Sequence, residues 1–70
     1  MRYRIDFRFW GTTKTETRIV ENADTRNRML KELRSDYAIT YIGVSKVLKD
    51  GAIIPVSSEI RTSKHVFSKK

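Results

Sequence analysis

Apolar and polar residues alternate without a break through Arg2-Tyr3-Arg4-Ile5-Asp6-Phe7-Arg8-Phe9. Tyr3, Ile5, Phe7 and Phe9 fall on one side, and Arg2, Arg4, Asp6 and Arg8 on the other. A β-strand sends successive side chains to opposite faces, so this stretch predicts a strand with an aromatic core face and a mostly cationic outer face. Gly11-Thr12-Thr13 predicts a turn, because glycine reaches backbone conformations closed to other residues. Lys14 to Val20 (KTETRIV) alternates again and is rich in threonine and branched side chains, which predicts a second strand and a hairpin over 2–20. The polar loading of this second strand places it at a sheet edge, where charge discourages strand addition.

The period changes after Glu21. Asn22, Asp24 and Thr25 can each cap a helix by accepting from an orphan amide of the first turn. Met29, Leu30 and Leu33 then share one stripe at helical spacing, with Arg26 at its start and Tyr37 just past its end. Glu21 and Asp24 suit the positive end of the helix dipole, Lys31 and Arg34 the negative end. One helix of about 12 residues is expected, packed by one face on a sheet.

Tyr37 to Leu48 (YAITYIGVSKVL) is β-branched and aromatic, a third strand whose two faces are nearly equally apolar. Periodicity does not orient it. The Asp50-Gly51 turn offers two registers. A two-residue loop pairs Val47 with Ile54 and Ser45 with Val56. A three-residue loop, Lys49-Asp50-Gly51 with Gly51 left-handed, pairs Val44 with Val56 and Ile42 with Ser58. A shift by one residue turns every side chain to the other face. The second register is preferred, because it gathers Ile42, Val44, Ile54, Val56 and Ile60 on one face and leaves Ser45, Pro55, Ser57 and Glu59 on the other. Pro55 has no amide hydrogen to donate, which puts the fourth strand at an edge or turns that position outward.

The expected fold is therefore α+β, a four-stranded mostly antiparallel sheet with one helix packed on one face, in the order β-β-α-β-β. That order resembles the outline of the β-grasp roll, with no diagnostic residues accompanying it. A single domain spans 1–61, and 62–70 forms a basic, flexible C-terminal tail in which Val66-Phe67 offers a short fifth strand as the alternative. Seventy residues allow only one core. A domain this short buries roughly 60% of its unfolded surface, for a stability of about 5 kcal/mol.

With no cysteine, neither a disulfide nor a thiolate zinc site can staple the chain, which favours a reducing, cytoplasmic setting. No apolar run approaches the roughly 18 residues of a membrane span, and no signal-peptide pattern opens the chain. Fifteen Lys and Arg against eight Asp and Glu leave a net charge of +7. Such a field attracts nucleic acid or an acidic protein surface, although excess charge also serves solubility alone. Small, densely charged chains of this outline are associated with phage and mobile-element accessory proteins.

Enzyme readings fail on inventory. His65 is the only histidine, and the carboxylates are scattered with no paired spacing. No glycine-rich phosphate loop or nucleophile elbow is present. No catalytic residue, metal site or cofactor is expected. The amides at the helix start could hold a phosphate, but Glu21 and Asp24 crowd that point.

The favoured function is non-catalytic nucleic-acid binding through Arg2, Arg4, Arg8 and Trp10 on the outer sheet face, joined by Lys14 and Arg18. Arginine forks hold phosphate, and an exposed aromatic stacks on an unpaired base. Tyr41 would be a second platform. The opposing expectation is that Trp10 continues the core and that Asp6, Glu16 and Glu59 neutralise the arginines. A secondary basic surface comprises Arg61, Lys64, Lys69 and Lys70. The alternative function is a protein-interaction module, an adaptor or inhibitor docking on an acidic partner. Homodimerisation would serve to cover the second apolar face of strand three.

Overall fold

The computed structural model describes residues 1–60 of the chain. Four strands, β1 (Arg2–Phe9), β2 (Thr15–Val20), β3 (Ile39–Val47) and β4 (Ile53–Ile60), and one helix, α1 (Ala23–Arg34), follow in the expected order β-β-α-β-β. The sheet order is β2-β1-β3-β4, and every neighbouring pair is antiparallel. β1 and β3 are central. The helix carries the chain from β2 across β1 to β3 and packs over these three strands rather than over β4.

The alternation of β1 is realised in the packing. Ile5 and Phe7 are buried and Tyr3 half-buried on the helix side, joined by Val20 of β2 and by Ile39, Ile42 and Val44 of β3. From α1, Leu30 is buried and Met29 and Leu33 pack partly against the cluster. Phe9 departs from its expected core role. The β1–β3 pairing shifts between Arg8 and Phe9, and Phe9 is 37% exposed at the core's rim. Its ring stands edge-on to Phe7 at 5.7 Å, so it closes the end of the core rather than filling it.

Of the three possible caps, Asn22 occupies the position. Its Oδ1 accepts from the Thr25 amide at 2.8 Å, and Asp24 follows in the first turn. Ser35 ends the helix, its amide donating to the Lys31 and Glu32 carbonyls. Arg26, at the start of the apolar stripe, lies over the Tyr3 ring at 4.5 Å, so its stem extends the apolar contact while its charge remains outside.

The β3–β4 hairpin combines the two registers. At the turn the preferred three-residue loop forms: Leu48 donates to Ala52, Gly51 donates back to Leu48, and Gly51 has φ +91°. Val47, Lys46 and Ser45 then face Ile53, Ile54 and Pro55. A bulge at Val56 moves the pairing by one, so Val44 faces Ser57 and Ile42 faces Glu59. The expected Val44–Val56 and Ile42–Ser58 pairs are thus replaced, and the parity of the second half of β4 is inverted. Ser57 and Glu59 turn to the helix side, and Ile60 turns to the outer face, where it is 83% exposed. Glu59 is held there by Arg34, whose Nη2 lies 2.9 Å from its Oε1.

Among the described residues, no helix is long and apolar enough to cross a membrane. The expected tail at 62–70, with the possible strand at Val66-Phe67, lies outside the described residues.

Candidate functional site

The side of the sheet away from the helix is built in three rows across the strands. Arg8 of β1 faces Thr15 of β2 and Tyr41 of β3; Asp6 faces Thr17 and Gly43; Arg4 faces Ile19 and Ser45. Arg2 continues β1 opposite Val47, and β4 adds Pro55, Ser58 and Ile60. Arg2, Arg4 and Arg8 therefore share the face turned away from the helix, as the alternation of β1 requires.

One carboxylate interrupts this cationic row. Asp6 Oδ2 accepts from Arg4 Nε at 3.2 Å and lies 3.1 Å from Nη2, while the Thr17 hydroxyl donates to Oδ1 at 2.7 Å. Arg8 Nη2 donates to the Thr15 hydroxyl at 3.2 Å, and its guanidinium lies 5.4 Å from the Tyr41 ring centre. Arg8 Nε is buried with no hydrogen-bond partner among the described atoms. Glu16 and Glu59, expected as neutralisers of the arginines, instead belong to the helix-side parity of their strands. Glu16 lies 3.9 Å from Arg18, and Glu59 binds Arg34. Among the described residues, no carboxylate lies within ion-pair distance of Arg2, Arg8 or Lys14.

Two further members of the expected site stand at its corner. Trp10 follows the end of β1 with 63% exposure, so it does not continue the core. Its amide donates to the Ala38 carbonyl and ties the end of β1 to the segment entering β3. Lys14 is exposed just before β2.

Arg18 does not belong to this face. It pairs in register with buried Ile5, and its guanidinium lies 5.5 Å from the Phe7 ring on the helix side. The cause is Val20: its burial fixes the even positions of β2 inward and leaves Ile19 outward, 49% exposed. Tyr41 does lie on the outer face, beside Arg8. Arg61, Lys64, Lys69 and Lys70 lie outside the described residues.

A groove of about 450 Å³ opens in the middle of the face, lined by Arg4, Asp6, Tyr41, Gly43, Ser45 and the Pro55–Ser58 stretch of β4. Gly43 creates it. A side chain there would project where the Tyr41 ring now lies, since an ideal Cβ would stand 2.5 Å from the Tyr41 hydroxyl oxygen. Sequence reasoning did not identify Gly43, Ser45 or Ser58 as parts of a site. The available signal was a glycine inside a strand, which marks a close approach of other atoms to the backbone. Neither a known family, nor a curated protein, nor a solved structure matches the chain.

Proposed function

We propose that this protein is a small, non-catalytic nucleic-acid-binding domain that meets the phosphate backbone with its outer sheet face. The observation that carries the reading is the separation of charge between the two sides of the sheet. Arg2, Arg4 and Arg8 stand on the side that the helix leaves open, with Asp6 the one carboxylate that β1 adds there, while Glu16 and Glu59 face the other way. Arg2 and Arg8 supply phosphate contacts while Arg4 stays paired with Asp6 within the same face, Lys14 extends the positive field, and Trp10 with Tyr41 offers surfaces for unpaired bases. A cytoplasmic setting, without a membrane or cofactor, belongs to the same reading.

Titration of labelled single- and double-stranded oligonucleotides at two salt concentrations tests it. Micromolar binding that weakens steeply with salt is expected; the absence of binding at low salt refutes it. A second reading, a protein-interaction module or homodimer, draws on the exposed Ile53, Val56 and Ile60 of β4. In that case Arg4→Glu abolishes capture of an acidic protein partner, and light scattering reports the dimer. An origin in a phage or mobile element accords with either reading.

A further inference from the structure

We propose that the groove between Arg4, Asp6 and the Pro55–Ser58 stretch of β4, walled by the Tyr41 ring, seats one unpaired base of a single-stranded nucleic acid, with the flanking phosphates lying over Arg2 and Arg8. This rests on the reading of the outer face given above and adds to it a ligand form and a subsite. The groove volume of about 450 Å³ suits one nucleotide. A base stacked and paired inside a duplex cannot enter, whereas an unpaired base can be splayed out and held by its edge. Pro55 and the Tyr41 ring supply apolar walls, and the Ser45 and Ser58 positions add hydroxyls.

Arg4 and Asp6 are held 3.1 Å apart, so a donor and an acceptor stand side by side, as the edge of a nucleobase requires. Asp6 also decides between the two anionic partners that a basic face attracts. A Glu or Asp side chain from an acidic peptide would be pressed against the Asp6 carboxylate on entering the groove. A neutral base would not. The phosphates stay outside, where the arginines are.

The test uses the full chain, a short oligothymidylate, a duplex of the same length, thymidine monophosphate and an oligoglutamate peptide. Ser58→Leu fills the groove from an exposed position on β4 without removing a charge and without adding a ring on which a base could stack. It should weaken oligothymidylate binding about tenfold and leave duplex binding within about twofold, since the phosphate contacts are kept. With the unsubstituted protein, thymidine monophosphate should shift the amide resonances of Gly43, Ser45 and Ser58; this measurement stands even if the variant folds poorly.

Equal losses for single strand and duplex, or thymidylate shifts confined to amides away from the groove, overturn the base seat while leaving phosphate binding by the face intact. Groove shifts produced by oligoglutamate and not by thymidylate overturn it in favour of a protein partner. Failure of both oligonucleotides to bind the unsubstituted chain removes the nucleic-acid reading, and the base seat with it.

Discussion

Asp6→Asn is the most informative single change on the outer face, because it should strengthen binding while weakening the fold. In the native chain Asp6 occupies Arg4 through the 3.1 Å ion pair, leaving Arg2, Arg8 and Lys14 as the cations of this region without a carboxylate partner among the described residues. Each single-strand phosphate neutralised contributes about −0.7 to the slope of log K against log salt, so three contacts give a slope of about −2. Releasing Arg4 adds a fourth, and the slope steepens to about −3. Removing a carboxylate close to the phosphate path is worth about 1 kcal/mol in a water-like dielectric, or roughly fivefold in affinity.

The stability cost comes from the same pair. Side-chain exposures of 35% for Arg4 and 14% for Asp6 make it a partly screened interaction. Its loss should cost roughly 1 kcal/mol, out of about 5 for a domain of this size. The asparagine oxygen can still accept from Thr17, so the fold persists. Fluorescence anisotropy across a salt series reads the binding terms, and urea denaturation reads the stability. Unchanged or weaker binding with an unaltered slope would show that a released Arg4 does not reach phosphate, and the phosphate path drawn past Asp6 would fall.

Gly43→Ala should be nearly silent in stability yet visible at Tyr41. The new methyl displaces the ring and loosens the Arg8 contact, for about 0.5–1 kcal/mol, while alanine restricts the unfolded chain by a similar amount. A urea midpoint close to native with shifted Tyr41 ring resonances is expected, and a loss above about 2 kcal/mol would mean that the ring cannot give way. Asn22→Ala should cost about 1 kcal/mol by orphaning the Thr25 amide, lowering the thermal midpoint by roughly 4–8 °C; an unchanged midpoint would show that water caps the helix equally well.

Much of this architecture can be read in the chain because its first strand is unambiguous. One buried face and one wet face give β1 a clean period, and the stripe Met29, Leu30, Leu33 supplies its cover. β3 carried no such signal. It is central, and on its outer side Gly43 and Ser45 are buried, so small residues there replace the polar ones that would mark an exposed face. β4 was legible only as far as its turn. The Asp50-Gly51 chemistry specifies the loop, but the bulge at Val56 leaves no mark in a run where Ile53, Ile54, Pro55 and Val56 are all apolar.

The candidate site divides along the same line. Arg2, Arg4 and Arg8 follow from parity within one strand. The sequence does not orient Arg18, because Ile19 and Val20 are adjacent and both apolar, and only the packed structure distinguishes the inward one. The groove required knowledge of neighbours, since Asp6, Gly43 and Ser58 lie far apart in sequence and meet only through register.

Pro55 has a consequence for how the protein behaves in company. In an antiparallel ladder, residues alternate between pointing their backbone groups at the neighbouring strand and away from it. Counting from the Leu48–Ala52 bond places the Pro55 nitrogen on the away side, along the margin of β4 that pairs with no other described strand. A donor is therefore missing where a foreign strand would dock, and the bulge at Val56 bends the same margin out of line. The other margin, β2, is only six residues long and carries Glu16 and Arg18. Both borders of the four described strands thus resist being extended. A concentrated solution should not grow fibres despite its exposed isoleucines, and a binding isotherm should reach a plateau at fixed stoichiometry.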